Sequence, residues 1–215
     1  FLGGLAVGYA VFGRVTAAVT ARARAQGRPP RLLLLYGVVE SAIGLYALAF
    51  PALFAATQDL SLALPHTSQG VAFAIDVFLT ALLIGPPTVL MGGTIPVLTQ
   101  ALARSVEDST RIHAFVYAFN TAGAFLGALS AGFWLIPWLG IRGVLFAMGA
   151  VNLAAGALFV LFGLLGADRA TLDRREPDDA APRLEGFALY AVVALLLGFA
   201  MMTAQTVLIR LGGLA

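Results

Sequence analysis

Six stretches of this chain are each about twenty residues long and almost wholly apolar, the length a helix needs to cross a hydrocarbon layer about 30 Å thick. They run roughly from Phe1 to Val19, Leu32 to Ala55, Gly70 to Met91, Ile112 to Pro137, Gly143 to Leu165 and Phe187 to Leu208. A segment inside lipid has no water to satisfy its backbone, so an apolar run of this length reads as an α-helix. Composition agrees: 60% of the residues are hydrophobic and 11% are charged, against about 45–50% and about 25% in soluble domains. The expected fold class is all-α, a polytopic transmembrane helix bundle with about six spans.

The arginines give an orientation. All thirteen basic residues are arginine, a bias that points to a bacterial source of high GC content. The first loop, "ARARAQGRPPR", carries Arg22, Arg24, Arg28 and Arg31 without an acid, whereas the second, "ATQDLSLALPHTSQ", has Asp59 and no basic residue. Arg104 and Arg111 occupy the third, Arg142 the fourth, and Arg169, Arg174, Arg175 and Arg183 the fifth. Cationic residues are retained on the cytoplasmic side, which predicts a multi-pass protein of the bacterial inner membrane with residues 20–31, 101–111 and 166–186 in the cytoplasm. The same pattern divides the chain into a bundle over 1–165, a polar linker over 166–186 and a further helix over 187–215. The net charge of +2 decides little beside this placement. Lipid is the expected partner, together with other membrane or enzyme subunits, and nucleic acid is not.

The segment "LIGPPTVLMGGTIPVLTQ", residues 83–100, breaks the apolar monotony. A straight helix from Gly70 to Arg104 would run about 50 Å, far beyond the hydrocarbon. A helix break at Pro86, Pro87, Gly92, Gly93 and Pro96 would end the span near Met91 and turn "IPVLTQALAR" along the cytoplasmic interface. Such a break serves either as a kink whose freed carbonyls are satisfied by neighbouring helices or as a discontinuous helix lining a substrate or ion site.

Polar groups within the spans are candidates for function because burying them in lipid is costly. Glu40 is the deepest acid, about 12 Å in from Leu32, and Asp76 lies about 9 Å inside the third span. Asn120 and Asn152 complete the candidate intramembrane polar site, and His113 reads as an interfacial residue. Glu40 is either a carboxylate coupled to a proton, a cation or a polyamine ammonium, or a helix-pairing group held by Arg14 or a tyrosine. Gly4 and Gly8, and Gly123, Gly127 and Ala131, repeat every fourth position and suit close helix packing; Trp134 and Trp138 suit an aromatic belt at the outer interface. There is no cysteine, no metal-ligand motif and no phosphate loop or catalytic signature. No catalytic residue, metal or cofactor is therefore expected within these residues.

Several stretches together resemble one family. "FLGGLAVGYAVFGR", "LYGVVESAIGLYALAFP", "PPTVLMGGTIPVLTQALAR", "AFVYAFNTAGAFLGALSAGFWLIPWLGIRG" and "GFAMMTAQTVLIRLGG" are similar, in order, to the membrane domain of bacterial spermidine-synthase-like proteins, in which a major-facilitator-like bundle is fused to an aminopropyltransferase domain. The resemblance covers most of the chain and is most specific at "MGGTIPVLTQAL" and "NTAGAFLGA". It implies that the chain begins at the second helix of one half and ends after the first helix of a repeated half, with Gly198 to Leu211 opening that repeat. The chain differs from the family pattern at Gln205, where an acid is common, and at Leu208, where an aromatic is common. Aminopropyl transfer in the family needs a soluble α/β domain for decarboxylated S-adenosylmethionine, and these residues contain none.

Three functions follow. The first is a membrane domain or subunit, non-catalytic by itself, anchoring or serving a partner enzyme or complex. The second is a major-facilitator-like transporter half for a cation or polyamine. The third is a membrane-bound polyamine aminopropyltransferase whose catalytic domain lies outside this segment.

Overall fold

In a computed structural model of the chain, residues 1–65, 67–103 and 106–166 are described here. The linker expected over 166–186, except Gly166, and the helix expected over 187–215 lie outside them. Every regular element among the described residues is helical: α1 (Leu2–Ala25), α2 (Leu32–Ala63), α3 (Gln69–Leu102), α4 (Val106–Ser130) and α5 (Ile136–Leu164), with a π-helical turn, Ala131–Leu135, between the last two. Four helical stretches are long and apolar enough to cross a membrane, the last of them extending from Ser109 to Leu164. Its 56 residues would measure about 84 Å if straight. Gly140 divides it, at φ 66 and ψ 168, a backbone region essentially closed to residues with a Cβ. This break falls where the sequence places its fourth loop.

The π-helical turn has a local cause. Pro137 lacks an N–H, so the carbonyl four residues earlier loses its donor, and the wider i→i+5 pattern appears immediately before it, with the Ile136 N–H bonded to the Ala131 carbonyl. Such bulges are the usual way an α-helix absorbs one misfit residue.

The expected corner in the third span is absent. α3 is one helix of 34 residues with Pro86, Pro87 and Pro96 inside it, so it neither ends at Met91 nor turns at Gly92 and Gly93. The reason lies in its neighbours. Pro87 deprives the Leu83 carbonyl of its backbone donor, and the Tyr46 hydroxyl of α2 donates to that carbonyl at 2.6 Å. Gly92 and Gly93 serve as contact points: a Cβ on Gly92 would strike the Leu5 backbone of α1, and one on Gly93 the Phe12 ring. A helix of this length exceeds the hydrocarbon thickness by projecting beyond it or tilting. α2, at 32 residues, does the same, and residues 56–63, read from sequence as loop, are its last two turns.

Packing is by small residues. Gly8 of α1 lies against Val89 and Gly92 of α3, and Gly4 against Thr88. On the other side of the bundle, Gly37 and Gly44 of α2 meet Gly149 and Gly156 of α5. A Cβ on Gly37 would stand 2.6 Å from the Gly156 carbonyl oxygen, and one on Gly44 would stand 2.8 Å from that of Gly149. Gly163 closes the row against Leu34. Backbones brought this close gain van der Waals contact, which replaces the hydrophobic driving force that helices lack in lipid. Large side chains mostly face outward instead, as with Phe73, Phe119 and Trp138. A buried cluster lies at the arginine-rich end of α2, where Leu32, Leu33 and Ala101 pack against Val19, Leu98 and Phe159.

By contrast, Gly123 and Gly127 of α4 and Gly132 of the π-helical turn have open space where a Cβ would stand. Gly156→Leu should thus force α2 and α5 apart and lower stability by about 1–3 kcal/mol, the usual cost of overpacking. Gly123→Leu should change it by less than about 0.5 kcal/mol, as surface substitutions do. Thermal melts of the two purified variants in one detergent compare them directly.

Candidate functional site

The polar residues form two groups far apart along α2. At its arginine-rich end, Tyr36 and Glu40 are one turn apart on one helix face, where residues spaced by four meet. That spacing brings the tyrosine hydroxyl and the carboxyl side by side. Both are half-buried, and the edge of the Phe159 ring packs on Tyr36 with centroids 4.7 Å apart. Tyr36 also lines a cleft of about 600 Å³ between α2, α3 and α4, together with Thr94, Leu98, Phe119 and Asn120. Asn120 thus stands across a cleft from the Tyr36 and Glu40 pair. Nearer the adjoining ends of α3 and α4, Thr99 Oγ1 and His113 Nδ1 are 3.4 Å apart, so His113 ties α4 to α3.

At the other end, Ser61 Oγ of α2 donates to Asp76 Oδ1 of α3 at 2.8 Å. This contact fixes the separation of the two acids. Asp76 is level with Ser61, and Ser61 is 21 positions beyond Glu40, about 31 Å along the helix. Glu40 and Asp76 therefore belong to different places, and no ligand of ordinary size touches both. Asn152 belongs to neither group. It is half-buried on α5, between Gly149 and Gly156, the two glycines pressed on α2.

Several residues of these groups escaped the sequence reading. Thr57, Gln58, Ser61 and Thr80 surround Asp76, but the first three lie where the sequence suggested loop. Tyr36 carried a usable signal, since Tyr and Glu at i and i+4 share a helix face. The glycine rows of α2 and α5 were also legible: Gly37 and Gly44, and Gly149, Gly156 and Gly163, recur every seven residues. A sevenfold spacing keeps one seam facing a partner helix.

Among the described residues no group of three or more His, Cys, Asp or Glu side chains could hold a metal ion. Comparison of the chain with protein-family models, with curated proteins and with solved structures finds no match.

The absence of cysteine gives a clean test of this layout. Cysteines introduced together at Ser61 and Asp76 should cross-link under mild oxidation in native membranes, whereas a pair at Glu40 and Asp76 should not. A Glu40 to Asp76 cross-link would contradict the two-group arrangement.

Proposed function

We propose that this chain is the membrane domain, or a membrane subunit, of a spermidine-synthase-like integral membrane protein, non-catalytic by itself and anchoring or serving a partner enzyme. In this reading it has about six spans of major-facilitator-like architecture in a bacterial inner membrane, with residues 20–31, 101–111 and 166–186 in the cytoplasm. The motifs "MGGTIPVLTQAL" and "NTAGAFLGA" support the family. The observation that carries the non-catalytic role is the separation of the ionisable groups. A transport path or reaction centre concentrates such groups at one place near the middle of the membrane, whereas Glu40 and Asp76 are held about 31 Å apart along α2. The two helix pairs beside them are closed by glycine contacts, which suit a rigid scaffold.

One observation favours a second reading, a major-facilitator-like transporter half for a cation or polyamine. The cleft lined by Tyr36, Thr94 and Asn120, one helical turn from Glu40 through Tyr36, is large enough for a small organic solute, since ligand pockets span about 300–1,000 Å³.

Proteoliposomes of the intact protein separate the two. The scaffold reading expects no uptake of labelled spermidine by wild type or Glu40→Gln, and purification from native membranes with a stoichiometric aminopropyltransferase subunit. Uptake by wild type that Glu40→Gln abolishes would overturn it in favour of transport.

A further inference from the structure

We infer that the cleft between α2 and α3 around Asp76 binds a primary ammonium group. The cleft holds about 380 Å³ and brings Thr57, Gln58 and Ser61 of α2 together with Asp76 and Thr80 of α3. Its walls are apolar, formed by Phe54, Leu79 and Leu83. Antiparallel packing places these residues together: positions 57, 58 and 61 form one face of the final turns of α2, and 76 and 80 are one turn apart on α3.

Charge sets the sign of the ligand. Between Leu32 and Ala103 the sequence contains no lysine or arginine, so neither helix supplies a counter-ion for Asp76. The Ser61 hydroxyl orients the carboxylate through Oδ1 without neutralising it. The remaining polar groups each offer an oxygen that can accept, Gln58 and Thr80 alongside donors of their own. Thr57 Oγ1 spends its proton on the Leu53 carbonyl at 2.8 Å, leaving its lone pairs, and Gln58 offers an amide oxygen.

An ammonium group, with three N–H donors and no acceptor, matches one carboxylate surrounded by neutral oxygens. A divalent metal does not, because calcium takes six to eight oxygen ligands, several of them carboxylates. A guanidinium is a poorer match, because its bidentate fork needs both carboxylate oxygens and Ser61 already holds one. The apolar walls accept a short alkyl stem behind the ammonium.

Asp76 is exposed and also lines a neighbouring cleft of about 480 Å³ between α1 and α3, so the carboxylate is reached from either side of α3. The ammonium comes either from a soluble alkylamine or from the aminoethyl headgroup of a phospholipid lying against the helices.

The test uses the intact protein in phosphatidylcholine nanodiscs. n-Butylammonium is titrated against melting temperature with tetramethylammonium, which has no N–H, as control. In parallel, discs doped with phosphatidylethanolamine are scored by native mass spectrometry for lipid retained over phosphatidylcholine. Wild type should respond to butylammonium and not to tetramethylammonium if the source is soluble, and should retain phosphatidylethanolamine if the source is lipid. Asp76→Asn should weaken whichever response appears at least tenfold, and Asp76→Glu should keep part of it. If Asp76→Asn does not fold, Ser61→Ala serves instead, and loss of the oriented oxygen should weaken binding several-fold. The inference fails if neither probe binds, if tetramethylammonium matches butylammonium, or if the variant tested binds like wild type.

Discussion

Three prolines inside one helix leave three carbonyls without their backbone donors, and lipid offers no water to replace them. α3 nevertheless stays whole, and at one of the three sites the Tyr46 hydroxyl of α2 takes over the Leu83 carbonyl that Pro87 abandons. Much depends on that continuity. Gly93, Pro96, Val97, Thr99 and Ala101 are all buried, and all lie past the point where a corner at Met91 would have carried the chain away. Ala101 belongs to the core with Leu32 and Leu33, so the second half of α3 is interior structure.

The bundle is packed by what its helices lack. Glycines allow α1 to meet α3, and α2 to meet α5, at backbone distance, while many phenylalanines and both tryptophans are turned outward. This is the arrangement expected when the surroundings are as apolar as the side chains. It also separates the ionisable groups by position: Glu40 sits with Tyr36 near the arginine-rich end of α2, and Asp76 sits with Ser61 near the other. A function that needs both carboxylates at one ligand is excluded by this geometry, while a scaffold with a separate ammonium site is compatible with it.

Much of the architecture was legible in the sequence. Twenty-residue apolar runs located the described helices, α2 beginning at Leu32 as read, and the interruption at "WLGIRG" became the Gly140 break. The extent of α2 and α3 was not legible, because fitting each helix to the hydrocarbon thickness ignores projection and tilt. The sequence reading therefore left Thr57, Gln58 and Ser61 in a loop, and with them the surroundings of Asp76. The glycine pairs are visible as a seven-residue spacing, but the four-residue spacing of Gly123 and Gly127 is the more conspicuous signal, and those two face open space among the described residues. A small-residue repeat indicates that a helix can be approached closely without saying which helix approaches.

The continuity of α3 is open to direct measurement. The cysteine-free chain accepts a single pair of spin labels at Val77 and Gln100, one on each side of the proline-rich segment, and pulsed dipolar spectroscopy in nanodiscs reads the distance between them. Twenty-three residues of unbroken helix give about 35 Å, and that is the separation expected. A distribution centred near 25 Å, the value for a helix that turns at a right angle after Met91, would contradict the account.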